Sequence, residues 1–335
     1  MDKSKTPKVS VMMAVYNGEA TVGRAIEGIL AQSFTDFEFI IVDDGSSDET
    51  LPILHDYATR DTRIRLIVNE HNLGLTKSLN KGVEQAHGQY IARQDADDTS
   101  HPERFGKQVS ILDNNPNEAL VTSHFVIDDS QGEHLYRHHP SQIQRRWAML
   151  FHNYISGHSG VMFRKDVFDN LGGYDETFRY AQDYDLWERL LREHSIAVVE
   201  QTLFTMYFHD TNISKTKLDQ QTNFALEVSQ RQLRQLIGEI DLTTVRELYH
   251  FWVYRHDEVT DYQVINQYLK QIFEAFMARY AVNSDEQEAI RLQICHRLWE
   301  GGTHNKSRNW GIVWLVWQWS PRFVLTRIKK QFRLG

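Results

Sequence analysis

Between Val9 and about Val126, short runs rich in β-branched and aromatic residues alternate with segments whose apolar residues recur at helical spacing. The β-like runs are Val9 to Val15, Phe37 to Val42, Ile64 to Val68, Tyr90 to Ala92 and Ala119 to Val126. Between them, Val22, Ile26, Ile29 and Leu30, and later Leu75, Leu79 and Val83, keep one helical face apolar. This pattern predicts an α/β fold, right-handed β-α-β units on a mostly parallel sheet flanked by helices. Ser46 and Glu49 have capping-box spacing for a helix running toward Ala58, and Gly88 can end the helix beginning near Thr76. Ligands of such sheets bind beyond the carboxyl ends of the strands, which directs attention to the loops after Val15, Val42, Val68 and Ala92.

The rest of the chain changes character. From Ser141 to Met206 the pattern is mixed, with a helix around Gln142 to Leu150, a short strand at Val161 to Arg164 and a helix from Asp183 to Glu193. Beyond Lys215 it is almost wholly helical, which predicts a first domain over residues 1–215 and a smaller helical domain over 216–335. With 41% hydrophobic and 24% charged residues, the 335-residue composition is that of a globular protein. A net charge of −8 argues against broad nucleic-acid binding. The single cysteine, Cys295, cannot form an internal disulfide and reads as a buried small hydrophobe. The polar Met1 to Lys8 stretch lacks the apolar run of a secretory signal, and no run reaches the ~20 apolar residues of a spanning helix. A cytoplasmic protein is expected, either free or peripheral on the membrane's cytoplasmic face.

Arg93-Gln94-Asp95-Ala96-Asp97-Asp98 places three carboxylates in four positions at the end of the Tyr90 to Ala92 strand. Carboxylates so close raise one another's pKa unless a cation sits among them, which suggests a hard divalent metal and, with it, a diphosphate. Another reading makes Asp98, Thr99 and Ser100 caps for a helix opened by Pro102. A cap needs only one of those side chains and leaves Asp95 and Asp97 unexplained.

The other loops are weaker alone. Val15-Tyr16-Asn17-Gly18 offers backbone amides and a ring to a base, and the carboxylates of Asp43-Asp44-Gly45-Ser46 suit a base N–H or a ribose hydroxyl. Asn72-Leu73-Gly74 supplies a tight turn, and Lys77 fits a solvated helix better than a phosphate ligand. Asp183 stands at a helix start, where a carboxylate is favoured by the exposed N–H groups whatever else it does. Five of the eight tryptophans lie between Trp299 and Trp319, and from Arg308 to the end there are six basic residues and no acidic one. That tail suits an anionic membrane surface through residues 308–335, or packing on the helical domain or on a second subunit of a homo-oligomer.

Taken in order, Ala14-Val15-Tyr16-Asn17-Gly18, Val42-Asp43-Asp44-Gly45-Ser46-Ser47-Asp48, Asn72-Leu73-Gly74, Tyr90 to Asp98, Gly172-Gly173-Tyr174-Asp175 and Gln182-Asp183-Tyr184-Asp185-Leu186-Trp187 resemble glycosyltransferase family 2 over about Val9 to Ser214. The resemblance implies a GT-A fold and an inverting, metal-dependent transferase that takes its sugar from a nucleotide-diphosphate donor, most directly a UDP-sugar, with Mg²⁺ or Mn²⁺. It places Ala14, Tyr16, Asp44 and Asp95 with the nucleotide, Asp97 and His209 with the metal, Asp98, His158 and Gln182 around donor and acceptor, and Asp183 as the catalytic base. The acceptor is expected to be a glycan or a lipid-linked sugar, in cell-surface polysaccharide synthesis. Two positions depart from the family pattern. Gln182 stands where Glu is common, and Tyr207-Phe208-His209 stands where an Arg-x-His element is common, so Phe208 removes a cation expected near diphosphate. Two rival readings are a non-catalytic sugar-nucleotide binder or membrane assembly subunit, and a nucleotidyltransferase. The latter lacks a Gly-rich, basic phosphate loop.

Overall fold

The computed structural model describes residues 6–139, 141–155, 157–208, 217–253, 255–303 and 310–332. The chain divides into two compact units, one of Met1–Gln142 with Ile155–Phe224 and the other of Ile143–Tyr154 with Ala225–Gly335.

The first unit is built on a sheet that, among the described residues, has nine strands, eight of them in the spatial order 64–68, 37–43, 9–15, 90–93, 162–164, 118–129, 195–207 and 99–100, with the ninth, 132–136, also pairing 118–129. Four strands alternate with helices as the sequence pattern requires: β1 (Val9–Val15), α1 (Val22–Leu30), β2 (Phe37–Asp43), α2 (Thr50–Arg60), β3 (Ile64–Val68), α3 (Leu75–Glu84) and β4 (Tyr90–Arg93). These strands pair in parallel, β1 between β2 and β4, with Val9 facing both Phe37 and Tyr90 in register. All seven residues of β1 are buried, the signature of a strand covered on both faces. Ser10 is tolerated there because its hydroxyl donates to Glu38 Oε1 at 2.6 Å and accepts from Gly88 N at 2.8 Å. A Cβ on Gly88 would lie 2.4 Å from Ser10 N, so this glycine serves close approach to β1. The helix before it, α3, ends at Glu84.

The second half of the sheet mixes directions. β5 (Thr99–Ser100), α4 (Arg104–Asn114), β6 (Glu118–Asp129), β7 (Gly132–Tyr136), α5 (Gln142–Ala148), a 3-10 turn (His158–Gly160), β8 (Met162–Arg164), α6 (Lys165–Asn170), α7 (Gln182–Leu191) and β9 (Ser195–Tyr207) follow. Three-residue β8 inserts antiparallel between β4 and β6, and β6 then runs parallel to β9 through a register broken by bulges. The short β5 pairs antiparallel with β9, setting Thr99 against Thr205. Thr99 and Ser100 are therefore strand residues rather than caps, and α4 begins only at Arg104, behind Glu103, with no side-chain cap.

The second unit is helical: most of α8 (Leu218–Ile237), then α9 (Leu242–Trp252), α10 (Tyr262–Arg279), α11 (Ser284–Thr303), α12 (Trp310–Trp319) and α13 (Pro321–Phe332). Asp241 caps α9 through Thr244 N at 2.9 Å, and Asp261 caps α10 through Gln263 N and Val264 N. Trp147, fully buried, sits at the centre of this unit's core, with ring centroids 5.3 Å from Phe151, 5.9 Å from Trp252 and 5.3 Å from Phe276. Cys295 is buried in the same core, as its reading required. Among the described residues, no helix is long and apolar enough to cross a membrane. α12 buries Ile312, Leu315 and Val316 yet leaves Trp310 66%, Trp314 62% and Trp317 37% exposed.

Candidate active site

The loops after β1 and β2 are laced together at the carboxyl ends of the strands. Asn17, at φ +51°, donates its N–H to Ser46 Oγ at 3.0 Å, and its own Oδ1 accepts from Ser47 N at 2.8 Å. Gly18 N and Glu19 N reach Thr50 Oγ1 and Asp48 Oδ2. Ser46 thus bonds across to the first loop instead of capping α2, and Asp48 Oδ1 takes Thr50 N at 3.1 Å. Gly45 has φ +74° and its absent Cβ would meet the backbone of His71 at 2.7 Å, so both conformation and space demand glycine. Ala14 is buried near the end of β1, while Tyr16, just past it, is 50% exposed.

Asp44 organises the next loop. Its Oδ1 accepts from Asn69 Nδ2, Leu73 N and Ser78 Oγ at 2.9, 2.9 and 2.8 Å, and its Oδ2 from Gly74 N at 2.9 Å. A carboxylate has about four acceptor sites, more when bonds bifurcate, so Oδ1 is fully engaged and Oδ2 keeps one direction open. This hub, 3% exposed, gives the Asn72-Leu73-Gly74 turn its shape.

The acidic turn after β4 is held from below by buried polar side chains. Gln94 donates Nε2 to the carbonyls of Asp95 and Asp98, and its Oε1 accepts from Ser100 Oγ at 2.6 Å. Ser159, fully buried, links the carboxylates: its Oγ meets Asp95 Oδ2 at 3.0 Å, bonds Asp98 Oδ2, and accepts Asp95 N at 2.9 Å. Burial alone would raise the Asp95 carboxyl, but the Arg93 guanidinium bonded to it brings it below the usual range. For Asp98, burial first, then the charges of Asp95 and Asp97, push the carboxyl well above that range. Its Oδ1 accepts Tyr207 N from the end of β9 at 3.1 Å. Arg104, fully buried beneath, donates to the Arg93 and Ser159 carbonyls, and burial pulls it down to about 9 while Asp98 opposes.

Asp97 is half-buried, and its carbonyl accepts from Arg24 Nη2 at 2.8 Å. Arg24, from the first turn of α1, lies with its guanidinium 3.6 Å from the Tyr207 ring centroid. A cation therefore stands beside the acidic turn although residue 208 is Phe.

Asp183 is half-buried in the first turn of α7, its Oδ1 accepting Tyr184 N at 2.8 Å. The residue before the helix, Ala181, sits at φ +56°, an unusual conformation for a residue with a Cβ. Tyr174 is buried beside His158. Its hydroxyl lies 2.8 Å from His158 Nε2, and burial, then the opposing pull of Arg93, then the charges of Asp183 and Asp95 act on it, with a net upward shift. His158 packs edge-on against Tyr174 and Trp187, and burial with the nearby Arg93 charge holds it down at about 3, neutral at any physiological pH. Gln182 is 6% exposed, where a carboxylate would carry a desolvation cost. His158 thus meets the Tyr174 phenol directly, the charges of Asp183 and Asp95 are felt there through space, and Asp95, Asp97 and Asp98 share one turn. His209 lies outside the described residues.

The glycosyl transferase family 2 profile matches residues 10–172. The EpsE protein of Bacillus subtilis (strain 168) is 38% identical over 190 residues, 56% of this chain and 68% of its own. The chain belongs to glycosyltransferase family 2. Among solved structures, TarS 1-349 of S. aureus in complex with UDP superposes with a TM-score of 0.53 at 16% identity, covering 92% of this chain and 83% of TarS. The mannosyltransferase PcManGT of Pyrobaculum calidifontis, solved with GDP-Man and Mn²⁺, gives 0.53 at 15% identity, covering 86% and 79%. Both likenesses support the GT-A fold.

For a family 2 transferase, several residues at this site carried no sequence signal as site residues. Ser159 is one hydroxyl inside a Gly-rich run, Arg104 reads as a helix cation, and Arg24 lies some 70 positions from the turn it touches. Only three-dimensional pairing reveals them. A cleft of about 650 Å³ opens beside Asn80, Asp169, Gly173, Tyr174 and Asp175, and its lining includes none of Asp44, Asp95, Asp97 or Asp183.

Proposed function

We propose that this family 2 member is an inverting transferase that moves a sugar from a nucleotide-diphosphate donor, most directly a UDP-sugar, to an acceptor hydroxyl. The observation that carries the reading is the acidic turn at the carboxyl end of β4, where the buried Ser159 hydroxyl bonds both Asp95 and Asp98. The Tyr16 ring stacks on the base, with Ala14 behind it, and the open direction of Asp44 Oδ2 receives a base N–H. Asp95, held ionised by Arg93, accepts from the ribose. Arg24 supplies the cation beside the diphosphate that Phe208 does not.

Asp183 takes the proton of the acceptor hydroxyl while that oxygen attacks the anomeric carbon from the face opposite the leaving group. The bond to the diphosphate breaks with its electron pair, and configuration inverts. His158, neutral, and Gln182 and Asp98 border donor and acceptor. The donor chemistry suits Mg²⁺ or Mn²⁺: Asp97 offers a hard oxygen ligand, and burial together with the charges of Asp95 and Asp97 lifts Asp98 beside it. Among the described residues no group of three or more His, Cys, Asp or Glu could hold a metal ion; Asp97 and, as the family resemblance implies, His209 would be the protein's ligands. When bound, such an ion neutralises charge building on the departing diphosphate.

A glycan or lipid-linked acceptor in cell-surface polysaccharide synthesis, met at the cytoplasmic face, suits a chain whose terminal helices expose indoles and cations. The test is a thermal-shift panel of nucleotide sugars with Mn²⁺, followed by nucleotide release with the stabilising donor. Calorimetry on Asp97→Ala with and without Mn²⁺ should show metal-dependent nucleotide binding lost. Failure of every nucleotide sugar to stabilise or react refutes the reading.

A further inference from the structure

At 100° per residue, Trp310, Trp314 and Trp317 fall within roughly 60° of arc on α12, opposite the buried Ile312, Leu315 and Val316. The helix therefore has two apolar faces. One is absorbed by the core of its own unit, and the other carries three indoles to solvent. Cations surround the second face. Lys270 of α10 donates to Gln318 Oε1 at its edge, and α13, which follows directly, exposes Arg322, Leu325 and Lys329. From Arg308 to Gly335 the sequence holds six basic residues and no acidic one.

We infer that α12 and α13 form a docking surface for an anionic lipid bilayer, with the indoles at headgroup depth and the helices lying in the plane of the interface. The inference does not rest on the reaction proposed above. Charge chooses the occupant. Indoles settle at membrane interfaces, and cations beside them gain from anionic headgroups, whereas the core of a protein interface is depleted in lysine and would leave these charges to be desolvated. A ten-residue helix spans about 15 Å, half the hydrocarbon thickness, so α12 lies on the membrane and does not cross it.

The experiment is flotation of the full-length protein with vesicles of phosphatidylcholine, with and without phosphatidylglycerol. Wild type should float with the anionic vesicles and release in high salt. The triple variant Trp310→Ser, Trp314→Ser, Trp317→Ser should lose at least about tenfold in partitioning. Arg322→Gln with Lys329→Gln should lose the preference for phosphatidylglycerol, about fivefold per charge, while retaining weak binding. If the triple variant melts early, quenching of wild-type tryptophan fluorescence by brominated lipid replaces it, and quenching supports the inference. Absence of wild-type flotation, unchanged flotation of a folded triple variant, absence of quenching, or a dimer that the triple variant dissociates without any vesicle binding overturns it.

Discussion

Asp44→Asn tests whether this carboxylate carries the loop as well as the nucleotide. Three donors converge on Oδ1 and one, Gly74 N, on Oδ2, each between 2.8 and 2.9 Å. An amide can keep its oxygen beneath the three, but its nitrogen then faces the Gly74 N–H, donor against donor. One charge-assisted bond is lost, about 1.5–3 kcal/mol, and the other three fall toward neutral strength. Discharging a buried side chain offsets part of this, leaving a net loss of about 3 kcal/mol. In a unit of about 200 residues each kcal/mol moves Tm by about 2–4 °C, so the variant should melt about 6–12 °C lower. Calorimetry without nucleotide reads this directly. A variant that melts within about 2 °C of wild type while losing UDP affinity would show that the four bonds hold nothing up and that Asp44 serves the base alone.

Asp183→Asn should cut turnover by about 10² to 10⁴ while UDP affinity by calorimetry stays within about twofold, and an equal loss of both would remove Asp183 from the role of base. Arg24→Ala should weaken UDP binding by about tenfold, with Arg24→Lys recovering part of it, as expected for a charge-assisted contact to phosphate; uridine, which lacks the diphosphate, should bind both variants as it binds wild type. Burial pushes the Cys295 thiol up to about 12, so at pH 8 roughly one molecule in 10⁴ carries the thiolate. A disulfide reagent should therefore label the native protein only as fast as it unfolds, and rapid stoichiometric labelling would contradict the packing around this residue.

The parallel half of the fold was legible because its strands are continuous apolar runs; Ile64–Val68 falls where the pattern places it, and β2 and β4 each run one residue further. β8 was legible as a short strand, but three residues carry no signal of which strands they will separate or in which direction. Gln142–Ala148 reads as a helix, yet nothing in its seven residues says that Trp147 joins the helical core and not the sheet. The acidic turn announced itself through charge density alone. Its supports did not, because Ser159, Arg104 and Arg24 act by backbone and carboxylate contacts across tens of residues, and such contacts leave no local pattern. The cap signals misled for a related reason: Ser46 and Ser100 have hydroxyls suited to helix ends, but longer-range partners, Asn17 N and Gln94 Oε1, claim them.

Trp147 belongs to a core three of whose aromatic members packed on it, Trp252, Phe273 and Phe276, are encoded more than a hundred residues downstream. At ribosomal rates of about 5–20 residues per second, that indole is made roughly 5–20 seconds before the first of those three rings exists to cover it. During synthesis the nascent chain must carry a sticky, half-finished helix, making this stretch the natural place for a chaperone to grip and for premature termination to leave an insoluble product.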